Sequence, residues 1–111
     1  MPRTQITSAK IMPNGDLNVG GPLAFADDEV LFNVEVVIVQ GASYAYGQTS
    51  PRGAARRPGW SCPAHGAGAF DVTKPAVGFG TMVFLIVADP AKGLPDALPQ
   101  TLSWAEAVQL S

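Results

Sequence analysis

Residues 29–40, EVLFNVEVVIVQ, decide the fold class of this 111-residue chain. Val30, Phe32, Val34, Val36 and Ile38 fall at every second position, the spacing that places side chains on one face of an extended strand. The other face begins with Leu31, Asn33 and Glu35 and continues with Val37 and Val39. Its polar start meets water, and its apolar continuation implies a cover.

A second stretch, residues 77–88, VGFGTMVFLIVA, repeats the pattern with even fewer polar residues. Phe79, Thr81, Val83, Leu85 and Val87 face one way, and Met82, Phe84 and Ile86 the other. A strand apolar on both sides is expected at the centre of a sheet. Gly78 and Gly80 within it mark a bulge or the close approach of another backbone.

Shorter strands extend in both directions from these two. Thr4 to Met12 carries Ile6 on one face and Ala9 and Ile11 on the other, and ends at Pro13-Asn14-Gly15-Asp16. Proline presets φ there, and Asn and Gly tolerate the left-handed region, so a hairpin into Leu17 and Val19 follows. Gly41-Ala42 turns the first long strand into Ser43 to Thr49, where Tyr44, Tyr46 and Gln48 share a face. Ser50 to Gly59, with Arg52, Arg56 and Arg57, reads as an exposed loop. Trp60 and Cys62 then share one face of a short strand, with His65 in the loop after it. Phe70 and Val72 mark another brief strand, ended by Lys74-Pro75, and Asp89 to Pro99 is a loop.

The last segment, Gln100 to Ser111, has two readings. Leu102, Trp104, Val108 and Leu110 keep strand alternation, whereas Ser103 and Glu106 have capping-box spacing for a helix. A helix starting there has barely two turns before the chain stops, which favours the strand.

Composition agrees with one all-β domain spanning residues 1–111. Nearly half the residues are hydrophobic, enough for a single core. Ten prolines and twelve glycines leave few windows for long helices. Only 14% of residues are charged, against the usual quarter or so. The surface is therefore rich in small, weakly solvated residues, which favours an oligomer or a partner-bound state. A net charge of −2 with no basic run gives no support to nucleic-acid binding. No apolar stretch approaches the length of a membrane-spanning helix. The single cysteine excludes an intrachain disulfide. Met1 to Ile11 holds no signal-type apolar core, which implies a cytoplasmic protein if Met1 is the natural start. A processed, exported chain would void that inference.

The expected fold is a two-sheet antiparallel sandwich of about seven strands. The hairpin Ile6 to Asp16, the strand Val30 to Gln40, Trp60, and the strand Gly80 to Ala88 followed by a closing strand with Trp104 carry a resemblance. The layout resembles the small bacterial immunoglobulin-like or fibronectin type III-like modules. Such a resemblance implies protein or carbohydrate binding, or a spacer role. The chain departs from it in lacking a cysteine pair, and no tyrosine stands two residues before Cys62.

Chemistry-bearing residues are few. Cys62 and His65 are the only cysteine and histidine, a pairing that suits zinc or a nucleophilic thiol. Only carboxylates remain to complete a metal site, and the simpler reading makes Cys62 a small core residue beside Trp60. Asp27, Asp28 and Glu29 solvate a turn more readily than they hold calcium. Phosphate-loop, dinucleotide and G-x-S-x-G motifs are absent, and no cofactor is implied. Arg52, Arg56 and Arg57 flanked by Tyr44, Tyr46 and Trp60 are the candidate binding residues, because arginine and aromatics dominate recognition surfaces, although the simpler readings are core packing for Trp60 and a solvated surface for the arginines. Three functions follow in order: a non-enzymatic module for protein interaction or self-association, a module for carbohydrate or another small molecule, and a small hydrolase or metal-dependent enzyme using Cys62 and His65.

Overall fold

The computed structural model describes residues 3–24, 29–50, 59–86 and 98–111. They form eight β-strands: β1 Arg3–Thr4, β2 Ser8–Ile11, β3 Leu17–Ala24, β4 Glu29–Gln40, β5 Ser43–Thr49, β6 Gly59–Ala67, β7 Ala76–Ile86 and β8 Leu98–Val108. Every pairing is antiparallel, and the path across the sheet runs β1-β3-β6-β5-β4-β7-β8, with β2 also on β3. β1 and β2 lie along the same edge of β3, so seven strand positions are crossed.

The expected fold is met as an all-β antiparallel structure, without a clean division into two sheets. β6 explains the difference. Its residues Gly59 to Ala64 pair with β3, and His65 to Ala67 pair with β5. One strand thus belongs to both halves, and pairing continues round the corner. Gly47 of β5 lies at this bend, where a Cβ would run into the backbone of Pro63 and Ala64.

The two ends of this curled sheet meet. Ser111 N donates to Ala9 O at 3.0 Å, and Ile11 N donates to Ser111 O at 2.8 Å. The chain end therefore caps β2, an edge that would otherwise leave unpaired backbone groups. A side-chain clasp reinforces the closure. Glu106 Oε2 accepts from Ile6 N at 2.8 Å and from Trp104 Nε1 at 2.6 Å.

The core is a single cluster in which Leu17, Val19, Val34, Val36, Ile38, Cys62, Met82 and Phe84 are fully buried. Trp60 and Trp104 meet edge to face with ring centroids 6.4 Å apart, a favoured aromatic geometry. Trp60 Nε1 donates to Thr4 Oγ1 at 2.7 Å, so its polar atom is satisfied on burial. At Gly80 the close approach is made by a side chain and not by another backbone: a Cβ there would collide with the six-membered ring of Trp104, its cross-strand partner.

Four local expectations are corrected. Phe32 does not join the core. Register shifts between Leu31 and Asn33, so Phe32 has no partner on β7 and turns outward at 54% exposure, while Leu31 is buried. One extra residue reverses the alternation beyond it. The opening strand is likewise broken at residues 5–7, which lets Ile6 and Ala9 both reach the core despite opposite parity. Phe70 and Val72 belong to no strand. The buried Gln40 holds that turn instead, donating to Asp71 O and Lys74 O and accepting from Asp71 N. His65 lies within β6 and not in a loop after it. The final segment is a strand, with Glu106 engaged by the clasp and not by a helix cap.

Candidate functional site

Side chains at successive positions of one strand point to opposite faces, so the core-facing residues of β4, β5, β7 and β8 determine their outward set. On β4 the outward residues are Glu35, Val37 and Val39, and on β5 they are Tyr44, Tyr46 and Gln48. β7 contributes Val77, Phe79, Thr81 and Val83, and β8 contributes Thr101, Ser103, Ala105 and Ala107. Cross-strand register then fixes which of them are neighbours.

One row across the four strands reads Tyr44, Val39, Val77, Ala107. The next reads Tyr46, Val37, Phe79, Ala105. These eight residues contain no charge. Tyr44 is 52% exposed, Tyr46 47%, Phe79 46% and Val77 43%, so large apolar groups of a central strand stand in water. A contiguous apolar patch edged by polar residues is the usual mark of an interaction surface.

The polar edge is present. A third row holds Gln48, Glu35, Thr81 and Ser103. Beside it Ser50 Oγ donates to Asn33 Oδ1 at 3.1 Å, and the Gln48 amide donates to the same oxygen. Glu35 is the only charged side chain among the described outward positions of these rows.

The predicted binding residues do not all come together. Tyr44 and Tyr46 share the exposed face. Trp60 is separated from them, its ring in the core at 8% exposure, because it shares the inward face of β6 with Cys62 and Ala64. Arg52, Arg56 and Arg57 lie outside the described residues, as do Asp27 and Asp28. Phe79, Val77 and Val37 are the members that sequence reasoning missed. Apolar character on both faces of β7 implies burial on both, whereas only one side is covered.

Cys62 and His65 lie on opposite faces of β6. The thiol is fully buried in the core, its hydrogen-bond contact is to Pro63 O at 3.6 Å, and burial pushes it up to about 11. His65 stands outside, its Nδ1 2.8 Å from Asp16 Oδ2. That contact is the main cause holding the Asp16 carboxyl below its ordinary value, with Asn14 adding a further hydrogen bond. The pair edges a shallow groove of about 460 Å³ that includes Met12, Pro13 and Pro63. No third metal-ligating group joins it among the described residues. No helix among the described residues is long and apolar enough to cross a membrane.

No family model matches the sequence, and no curated protein matches it. Among solved structures the chain is similar to murine CRIg, with a TM-score of 0.45 and 10% identity, over 99% of this chain and 96% of that one.

Proposed function

We propose that this chain is a non-enzymatic β-sandwich module for protein–protein interaction, with the outward face of β5, β4, β7 and β8 as its contact surface. In this reading β1, β2, β3 and the first part of β6 form one layer, and the other four long strands form the second. The observation that carries the proposal is the exposure of Tyr44, Tyr46, Val77 and Phe79 on one uncharged, polar-edged face. Tyrosine and phenylalanine offer large contact area with few rotatable bonds, which is why aromatics anchor interfaces.

A photo-crosslinking residue placed at Phe79 tests it, with the same residue at Lys10 on the outside of β2 as control. Crosslinks to protein at Phe79 and none at Lys10 are expected. Equal labelling at both positions, or none at either, contradicts the proposal.

A second reading rests on Tyr44 and Tyr46 alone. Two exposed rings one strand repeat apart form a platform on which sugar rings can stack. Chemical-shift perturbation of both tyrosines by an oligosaccharide, abolished in Tyr44→Ala, supports that reading.

A further inference from the structure

We propose that the partner this face accepts is a second copy of the same chain, packed sheet on sheet about a two-fold axis that runs parallel to the strands between β4 and β7. The inference rests on the interaction reading above and adds the partner and its register.

The distribution of side-chain size across the sheet motivates it. The bulk lies at one edge, in Tyr44 and Tyr46 of β5, and the small residues lie at the other, in Ala105 and Ala107 of β8. A two-fold axis along the strands turns the face over, keeps each row at its own height and exchanges left with right. β5 of one copy then lies over β8 of the other, and β4 lies over β7. Each tyrosine meets an alanine, so ridge fills trough at both edges at once. Val37 meets Phe79 and Val39 meets Val77 in the middle.

Charge obeys the same operation. Glu35 is carried over the second copy's Thr81, whose hydroxyl can donate to it, and not over another Glu35. The alternative in-plane axis, perpendicular to the strands, stacks β5 on β5 and β8 on β8, which sets tyrosine against tyrosine and leaves a gap between the alanines. An isologous contact needs one surface to be its own complement, and only the first axis provides that.

The size of the face fits an exchanging dimer. Four strands about 4.8 Å apart cover about 19 Å, and three rows about 6.8 Å apart cover about 20 Å, giving a projected area of about 400 Å² on each copy. Both copies together bury about 800 Å², below the range of stable interfaces and in the range where association is weak and transient. Sheets packed in this way cross at about −30°, which displaces the corners of the face more than its centre.

Sedimentation equilibrium of the full chain between about 1 and 500 μM tests the proposal, with Tyr46→Asp and Ala105→Arg as variants. Both positions are exposed, and circular dichroism checks that each variant folds. We expect a reversible wild-type dimer, and for each variant alone association weakened on the order of 100-fold, because a charge is driven into an apolar contact. We expect an equimolar mixture of the two variants to dimerise again, since one edge then opposes the new carboxylate to the new guanidinium and the other edge keeps the original tyrosine–alanine contact. A wild-type dimer that both variants leave intact overturns the proposal and this face with it. Loss in both variants without recovery in the mixture overturns the register. A wild-type chain that stays monomeric at 500 μM overturns the second copy as partner, and crosslinking from Phe79 to a different protein in that case leaves the interaction reading standing.

Discussion

Glu106 shows how much one side chain can decide. It sits on the inward side of β8, opposite Gly78, and its carboxylate receives both the Ile6 amide and the Trp104 indole. Charge-assisted hydrogen bonds of this kind are about twice as strong as neutral ones. Glu106→Ala removes the acceptor from two donors at once, and we expect a loss of about 2 kcal/mol in urea unfolding. Glu106→Gln keeps an acceptor oxygen and should lose about half as much. Equal stability of all three proteins would remove the clasp from the description of the fold. The same residue shows why a local motif misleads: Ser103 and Glu106 have the spacing of a helix cap, but their true partners are set by β8 packing beside the opening strand. Cys62 makes a second prediction at this scale. With its thiol pushed up to about 11 by burial, about one molecule in a thousand carries the thiolate at pH 8, and only the thiolate reacts. Ellman's reagent should label the native protein no faster than it unfolds, and rapid stoichiometric labelling would contradict that placement.

At the scale of elements, the hairpin β2–β3 is fastened to β6 by Asp16 and His65. The folded Asp16 carboxyl gives up its proton more readily than an unfolded one, chiefly through the His65 contact, and Asp71 does so through Thr73. The unfolded chain therefore binds more protons as pH falls past the ordinary value of 3.8, and stability falls with it. We expect a melting temperature unaffected by these two groups from pH 7 to about 5 that declines below about 4, with a shallower decline in Asp16→Asn. An unchanged acid limb in that variant would show that the contact contributes nothing measurable, as many exposed pairs do. Alternation made the long strands legible in the sequence, and turn chemistry at Pro13 to Asp16 made the first hairpin legible. The bulge at Phe32 was not legible, because an unpaired residue is defined by register against β7 and leaves no mark in β4 alone. Nor could alternation separate Trp60 from Tyr44 and Tyr46. All three are aromatic and stand near the same loop in sequence, and only the inward turn of β6 beside the outward turn of β5 puts one in the core and two in water.

At the scale of the whole molecule, the two faces of the β5-β4-β7-β8 sheet have opposite fates although their residues are nearly equally apolar. One is sealed by β2, β3 and the first part of β6; the other is left to whatever binds it. That asymmetry is what the low charge of the chain permits, and it underlies the interaction reading. The most direct test compares unfolding free energies of Phe79→Ser and Phe84→Ser, both on β7, in urea at protein concentrations low enough to keep the chain monomeric. Phe84 is fully buried and Phe79 is 46% exposed. We expect Phe84→Ser to cost about 3–5 kcal/mol, as large-to-small changes in a core do, and Phe79→Ser about 1 kcal/mol or less. Equal losses at the two positions would mean that the chain covers both faces itself, and no surface would remain for a partner.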